Sequence, residues 1–342
     1  MRRFISQHIL DIGLLFVVLV WGISPTFFKI ALEEVQPLTL VIMRFVLLSA
    51  LAVVALLIEA RRQPVIRPFR IRRADVLPLI VSGLSGYGIY QLFYIEGLAN
   101  TTVFAATLFA ATVPLWSAVL LALLRIEGIR PWQWVGILVS LGGIVWFLSA
   151  GHSSGAKVDR ALTPMSILIG NVLSFVAAGL FALYGVVNKR LAKRFSPPEL
   201  MAYTLLIGTV ALLPFGIVAL AHQNWSHVTW RLWVILPYSV FFPIYITYSI
   251  WNWAIGKRGV GYVTLYNYAT PVLGGVAAFL ILGEQLNIWQ GIAAAVVLGG
   301  MLLARWAITR GAQAPVARVA SASSTDSGGH EVVDEPFLPS RQ

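Results

Sequence analysis

The chain has 342 residues, of which 58% are apolar and 11% are charged. Soluble domains carry about 25% charged residues, so this composition excludes an ordinary soluble protein and indicates a polytopic membrane protein. Lys and Arg (25) outnumber Asp and Glu (14), which gives a formal charge of +11, and there is no cysteine. A disulfide framework and a cysteine-based metal site are therefore excluded. The positive excess fits cytoplasmic loops better than a nucleic-acid surface.

Ten stretches have the ~20 mostly apolar residues that a membrane-spanning helix needs. The first continues from Ile9 to Leu32 without a small-residue cleavage site, which favours a retained span over a signal peptide. Four prolines, Pro25, Pro114, Pro243 and Pro271, interrupt spans and are expected to kink them. The predicted spans are 9–32, 37–59, 75–98, 102–124, 131–149, 164–187, 198–221, 231–256, 260–282 and 287–307.

The basic residues predict the orientation of these spans. With a cytoplasmic N-terminus, 20 of the 25 Lys and Arg residues lie inside and 3 outside, while Lys29 and Arg44 lie within spans. This asymmetry predicts that both termini are cytoplasmic. The polar tail lacks apolar periodicity and is expected to be disordered. The predicted units are a cytoplasmic N-terminus (1–8), a first repeat (9–149), an external linker (150–163), a second repeat (164–307) and a disordered cytoplasmic tail (308–342).

The two halves repeat each other at a shift of 157 residues, without a gap. Each half holds five predicted spans, and because five is odd, the halves must insert in opposite orientations. Inverted repeats are typical of secondary transporters that work by alternating access. The predicted fold is therefore an all-α membrane protein of ten transmembrane helices in two inverted five-helix repeats. The matched residues include Pro114/Pro271, Glu127/Glu284, Trp132-Gln133/Trp289-Gln290 and Leu141-Gly142-Gly143/Leu298-Gly299-Gly300.

These matched residues resemble the ten-span EamA-type branch of the drug/metabolite transporter superfamily. The resemblance covers roughly residues 10–307 and includes Trp21-Gly22 in span 1 and Pro37 with Arg44 in span 2. The chain departs from the family pattern at Ala293, where a glycine is usual, and at Asn171, where an acidic residue is frequent. The resemblance implies a multi-pass protein of the bacterial inner membrane that exports amino acids or similar small amphipathic metabolites.

Few ionisable residues lie inside the spans, where they usually face a cavity or a partner. Lys29 and Arg44 either bind a solute carboxylate or phosphate, or are structural. In the structural alternative, Lys29 extends to the outer interface and Arg44 pairs with Glu96 or with helix-end carbonyls. Glu96 is the expected proton carrier if transport is coupled to protons. Glu127 and Glu284, at turns between spans, are expected to pair with nearby basic residues or to cap the following helix.

Polar and aromatic residues at mid-span form a second candidate set for a solute cavity. Tyr87, Tyr90, Gln91 and Tyr94 share one face of span 3, because they are separated by steps of three and four. The alternative is interhelical hydrogen bonding and packing. The remaining members of the set are Asn171, Tyr184, Tyr245, Tyr248, Tyr266 and Asn267.

Other functional classes are less well supported by the sequence. The segment around Ser85 resembles an intramembrane serine-protease loop, but all five histidines lie in loops, tails or span edges, so the serine has no base. We therefore expect no catalytic residue, no metal site and no cofactor. An exchanger of organic phosphates or sugar phosphates is the main alternative, and a channel is a remoter one. The expected partners are a small-molecule solute and the lipid bilayer, not nucleic acid, and the oligomeric state is open.

Overall fold

The computed structural model describes residues 2–62, 71–125, 131–150, 163–192, 194–247 and 266–312, with single positions between 250 and 263. All regular structure in these residues is helical. The α-helices are α1 (Arg2–Glu34), α2 (Pro37–Arg62), α3 (Arg73–Gly83), α4 (Ile89–Asn100), α5 (Val103–Ala110), α6 (Val113–Leu123), α7 (Pro131–Ser149), α8 (Pro164–Leu191), α9 (Pro197–His222), α10 (Trp230–Val240), α11 (Thr270–Leu282) and α12 (Ile288–Ala312).

The apolar helices follow the predicted spans. Seven segments are long and apolar enough to cross a bilayer, and three shorter apolar segments cover Trp230–Ile246, Tyr266–Leu282 and Ile288–Ala304. The predicted all-α membrane fold with two repeats is thus confirmed, while the count of ten spans and the sides of the termini stay predictions. The seven longer segments are Ile9–Glu34, Pro37–Val54, Arg73–Asn100, Val103–Leu123, Pro131–Ser149, Pro164–Leu191 and Glu199–His222.

The helices extend beyond two of the predicted boundaries. α1 already begins at Arg2, within the predicted N-terminal segment, and α12 continues to Ala312, five residues beyond the predicted span end at 307. Residues 308–310 contain no proline or glycine, so nothing in them ends the helix. Positions 151–162 of the predicted linker, the remaining tail from 313 and the turn with Glu127 lie outside the described residues.

The two repeats meet across the antiparallel pair α7 and α12. Ser140 Oγ donates a hydrogen bond to the Val297 carbonyl oxygen at 3.0 Å, and these residues are related by the 157-residue shift. A Cβ on Gly143 would lie 2.9 Å from Val297 N, and one on Gly300 would lie 2.6 Å from Ser140 N. These two contacts are equivalent, because the 157-residue shift relates Gly143 to Gly300 and Ser140 to Val297. The repeats are therefore related by a local two-fold axis at this helix pair, as expected for inverted halves.

Two helices contain π-helical segments at matching positions. Leu84–Gly88 separates α3 from α4, and Phe241–Ile246 follows α10. Shifting the first segment by 157 residues gives 241–245, which lies within the second. π-Helical turns are rare and occur frequently at functional sites. Both repeats thus carry the same irregularity halfway along a predicted span.

The predicted fourth and ninth spans are also interrupted at matching positions. A turn at Ala111 and Thr112 separates α5 from α6 just before Pro114. A 3₁₀ turn, Tyr266–Ala269, precedes α11 just before Pro271. Broken helices of this kind border the solute sites of many transporters.

Helices of the first repeat pack closely against helices of the second. A Cβ on Gly208 of α9 would lie 2.8 Å from the carbonyl oxygen of Gly83 in α3. A Cβ on Gly170 of α8 would lie 2.6 Å from the carbonyl carbon of Asn100 in α4. Small residues allow such backbone approach between membrane helices. The interior between α2, α4, α8 and α10 is consequently shared by both repeats.

Candidate functional site

A buried guanidinium lies between three helices. The side chain of Arg44, on α2, is 3% exposed. Its Nε donates to Ser239 Oγ on α10 at 3.2 Å, and its Nη1 donates to Gln91 Oε1 on α4 at 3.4 Å. The guanidinium carbon lies 4.3 Å from the ring centroid of Phe28 on α1. We call this set the Arg44 site. Its members are Arg44, Gln91, Ser239 and Phe28, together with Tyr90 and Tyr94 of α4.

Tyrosines of α4 complete this site. Tyr90 and Tyr94 lie within electrostatic range of the Arg44 guanidinium. Their rings are stacked with centroids 6.0 Å apart, and Tyr90 also contacts Phe181 of α8 at 4.9 Å. Both tyrosines are partly accessible rather than fully buried. The structure therefore brings three predicted residues of span 3 together around the predicted cation of span 2.

The aromatic row continues toward the predicted cytoplasmic side. Phe181 stacks on Tyr184 at 5.5 Å, and the Tyr184 and Tyr87 hydroxyls lie 3.3 Å apart. Gly86 packs beneath the Tyr184 ring, where no side chain would fit. The π-helical segment thus presents Tyr87 to α8, and a continuous aromatic wall extends from the Arg44 site to this tyrosine pair.

Lys29 has a different environment, although it belongs to the same predicted set. Its side chain is 2% exposed and does not extend to the membrane interface. Its ammonium donates to the carbonyl oxygens of Leu98, at 3.2 Å, and of Thr101. Thr101 Oγ1 in turn donates to Asn171 Oδ1 at 2.5 Å. Lys29 and Asn171 thereby fix the junction between α4 and α5.

Glu284 of the second repeat closes this junction. Both of its carboxylate oxygens accept a hydrogen bond from the Val103 backbone N–H at 3.0 Å, at the start of α5. Glu284 also interacts electrostatically with Lys29. Burial raises the pKa of the Glu284 carboxyl, an effect that Lys29 and the backbone N–H groups of Val103 and Phe104 oppose. Lys29 is therefore held in a buried network that already contains its counter-charge.

The remaining predicted residues lie elsewhere. Glu96 Oε1 accepts from Asn100 Nδ2 at 3.2 Å, within α4. Tyr266 donates to Asp11 Oδ1 at 3.0 Å near the predicted cytoplasmic end of α1. Tyr245 is 52% exposed and stacks on Phe241, on a surface that lipid would cover.

Two residues of the set remain to be placed. Asn267 lies in the 3₁₀ turn before α11, and its buried Oδ1 has no partner among the described residues. Tyr248 lies outside the described residues.

Polar contacts join helices at both ends of the structure. At the predicted cytoplasmic end, Arg194 forms an ion pair with Asp75, and Ser82 Oγ donates to Asn188 Oδ1 at 2.5 Å. At the predicted outer end, Glu34 Oε2 accepts from the Thr229 backbone N–H at 2.8 Å. A groove of about 420 Å³ opens beside this outer contact, between α1, α10 and α11, and is lined by Phe27, Ile30, Glu33, Arg231, Ile235 and Ile281 among others.

The sequence of the whole chain agrees with this architecture. The profile of the EamA-like transporter family matches residues 8–149 and 168–306. The chain belongs to the EamA-like transporter family. The two matched ranges correspond to the two repeats described above. This membership establishes the chain as a membrane transporter.

Curated relatives of this EamA-like transporter cover most of its length. The "Probable amino-acid metabolite efflux pump" of Salmonella typhimurium is 23% identical over 297 residues, which are 84% of this chain and 92% of that protein. An "Uncharacterized transporter" of Archaeoglobus fulgidus is 26% identical over 83% of this chain and 93% of its own. The "Uncharacterized inner membrane transporter YhbE" of Escherichia coli is 29% identical over 58% of this chain and 60% of its own. Together with its apolar helices, these similarities establish a multi-pass inner-membrane protein.

A solved structure shares the fold of this EamA-like transporter. It superposes with a TM-score of 0.57, covering 88% of this chain and 98% of the other, at 23% sequence identity. At that identity the similarity concerns the fold alone.

Sequence reasoning missed two residues of the Arg44 site and the phenylalanine that packs against its tyrosines. Phe28, Ser239 and Phe181 were not distinguished from the surrounding apolar sequence. One signal was present for Ser239, because the 157-residue shift aligns it with Ser82. Both serines bond across helices, Ser82 to Asn188 and Ser239 to Arg44. The aromatic residues carried no comparable signal, because phenylalanine is common throughout the spans.

Proposed function

We propose that this transporter exports amino acids or similar small amphipathic metabolites by alternating access. The observation that carries the proposal is the position of the Arg44 site between the two repeats. Arg44 and Gln91 belong to the first repeat, and Ser239 belongs to the second. Transporters built from inverted repeats bind their solute at the repeat interface and move one repeat relative to the other around it.

The chemistry of the site suits an amphipathic solute. A charged group and an amide provide polar contacts, while Tyr90, Tyr94 and Phe181 provide an apolar wall. Small-molecule sites usually combine apolar walls with a few placed polar groups. The relative in Salmonella typhimurium that is named as an amino-acid metabolite efflux pump supports the same solute class.

Alternating access requires contacts that open in turn at the two ends. The ion pair of Asp75 with Arg194 and the bond of Ser82 to Asn188 are candidates for a cytoplasmic gate. The contact of Glu34 with Thr229 is a candidate for an outer gate. The groove beside this outer contact reaches Ile235, one helical turn from Ser239, and offers an outward path.

Counterflow in proteoliposomes tests the proposal. Purified transporter is reconstituted, the vesicles are loaded with a mixture of apolar and aromatic L-amino acids, and uptake of the labelled mixture is followed. We expect saturable counterflow that protein-free vesicles lack. A conductance far above carrier rates would instead indicate a channel, and counterflow of glucose 6-phosphate but not of amino acids would indicate an organic-phosphate exchanger.

Glu96 is proposed as the proton-coupling carboxylate. An imposed pH gradient then drives net amino-acid accumulation in wild-type vesicles. In the Glu96→Gln variant this accumulation is lost, whereas counterflow, which needs no gradient, persists. The matched control is Glu199→Gln, because Glu199 bonds to Ser196 at the start of α9. Equal accumulation by the Glu96→Gln variant and wild type would refute this role.

A further inference from the structure

We propose that Arg44 is the receptor for a single carboxylate of the solute, and that the site thereby selects carboxylate-bearing monoanions or zwitterions over organic phosphates. This inference rests on the proposed function and defines its solute class. Three features support it: the burial of Arg44, the engagement of the described acidic side chains elsewhere, and the number of available cations.

Arg44 is a buried charge whose protein partners are neutral. Ser239 and Gln91 accept its hydrogen bonds, and the Phe28 ring lies against its face. Nη2 has no hydrogen-bond partner within the described part of the chain. A charge inside a membrane protein normally pairs with an opposite charge or faces a polar cavity. The described residues therefore provide no counter-charge for this guanidinium.

The acidic side chains described within or beside the spans are engaged elsewhere. Glu96 accepts from Asn100, and Asp11 accepts from Tyr266. Glu284 and Glu33 interact with Lys29. The ion pair found among the described residues joins Asp75 to Arg194, outside the Arg44 site. A solute anion is consequently the partner that completes the site.

The contacts of Arg44 can be exchanged for a bound anion. The 3.4 Å bond to Gln91 is at the long limit of hydrogen bonding, so its loss costs little. The Ser239 hydroxyl donates its own proton to the Leu236 carbonyl oxygen at 2.6 Å, so it can only accept from Arg44 and stays in place. Nη1 and Nη2 then present the forked geometry that binds a carboxylate through two parallel hydrogen bonds.

The number of free cations sets the charge of the solute. Lys29 is committed to two backbone carbonyls and to Glu284, which leaves Arg44 as the one available cation among the described residues of the spans. A carboxylate neutralises a single guanidinium, whereas a phosphate monoester brings nearly two negative charges. The second charge would remain unpaired at low dielectric, which is costly. The site therefore discriminates against organic phosphates.

Counterflow of matched solutes tests this inference. Three solute pools are compared: a mixture of apolar and aromatic L-amino acids, the mixture of their carboxamides, and glucose 6-phosphate. For wild type we expect amino-acid counterflow at least roughly 10-fold above that of the carboxamides, because charge-assisted bonds to the carboxylate are lost. Glucose 6-phosphate is expected to flow no faster than in protein-free vesicles.

The variants separate recognition from folding. In Arg44→Gln, we expect amino-acid counterflow to fall roughly 10- to 100-fold, so that the acid-to-amide ratio approaches one. Arg61→Gln is the matched control, because Arg61 lies exposed on the same helix; it should keep the wild-type ratio. Removing a buried guanidinium can also unfold the chain, so Arg44→Lys is the second variant. It keeps the charge without the fork, and its acid-to-amide ratio should fall several-fold.

Each result decides one of two questions. If wild type moves amino acids but Arg44→Gln keeps the wild-type acid-to-amide ratio, the role of Arg44 is overturned while the transport proposal stands. Where Arg44→Gln does not fold, an unchanged acid-to-amide ratio in Arg44→Lys overturns the role of Arg44. Faster counterflow of glucose 6-phosphate than of amino acids also overturns the proposed selection of carboxylates. If wild type moves none of the pools, the proposed function fails, and the inference fails with it.

Discussion

Gly300→Ala should destabilise the transporter, whereas Gly299→Ala, one residue earlier on α12, should not. A Cβ on Gly300 would lie 2.5 Å from Ser140 Oγ and 2.6 Å from Ser140 N, whereas one on Gly299 would meet nothing within 4 Å. Both substitutions gain the same helix preference, about 0.5–1 kcal/mol. The difference between them therefore isolates the packing of α12 against α7.

The magnitude follows from these distances. Non-bonded carbon atoms pack at about 3.5–4.0 Å, so the two helices must separate by roughly 1 Å at Gly300. Overpacking of this size costs about 1–3 kcal/mol. The separation also weakens the bond from Ser140 to Val297, worth about 0.6 kcal/mol in a membrane. We expect Gly300→Ala to be less stable than Gly299→Ala by about 1.5–3.5 kcal/mol.

Unfolding by SDS in mixed micelles, followed by circular dichroism, gives the free energy of unfolding for both variants. Gly142→Ala on α7 provides a second control, because a Cβ there also meets nothing within 4 Å. If Gly300→Ala and Gly299→Ala agreed within about 0.5 kcal/mol, the close approach of α7 and α12 would be refuted.

Two further predictions concern charged residues. Lys29→Met should cost about 1–3 kcal/mol, because the buried carbonyl oxygens of Leu98 and Thr101 lose their donor and Glu284 loses a positive charge in its surroundings. Burial raises the pKa of the Glu284 carboxyl, so the folded state binds more protons than the unfolded state. Stability therefore falls as pH rises, and the variant should be destabilised less at mildly acidic pH than at neutral pH. Asp75→Asn should cost about 1 kcal/mol, because Asp75 itself is only 6% exposed but its partner Arg194 is 34% exposed, and the amide oxygen can still accept from the Arg72 N–H. It should nevertheless speed maleimide labelling of a Ser82→Cys reporter by opening the cytoplasmic end, and an unchanged labelling rate would count against this gate.

Hydropathy and the internal repeat predicted much of the fold, because both are properties of sequence composition and spacing. Within the Leu-Gly-Gly motif, however, only the structure distinguishes the exposed Gly299 from the buried Gly300. The π-helical segments were also not predicted. Three glycines, Gly83, Gly86 and Gly88, lie in or beside the first of these segments, but glycine is common throughout the spans and does not by itself indicate an extra residue in a helical turn.

The site could be predicted only as a set of candidates. The sequence placed Lys29 near the outer end of span 1 and Arg44 a turn or two inside the outer end of span 2, but depth does not reveal which carbonyl or carboxylate comes nearby. Their environments differ because Glu284 lies beside Lys29, whereas no carboxylate among the described residues reaches Arg44. Glu284 was expected either to pair with a nearby basic residue or to cap the following helix, and it interacts with Lys29. At the start of the following helix Asn287 accepts from the Trp289 N–H instead, and Glu284 caps α5 of the other repeat.

The cap on α5 also constrains how the chain is assembled during synthesis. The Val103 N–H and its acceptor Glu284 are separated by 181 residues. The ribosome must therefore produce almost the entire second repeat before this N–H meets its carboxylate, and Lys29, which is made earlier than Val103, waits even longer for its counter-charge. The first repeat leaves the insertion machinery with polar groups still unsatisfied in the bilayer, which is costly for an isolated half. The insertion of the turn between α11 and α12, late in synthesis, is thus the step that satisfies the buried polar groups of the first repeat.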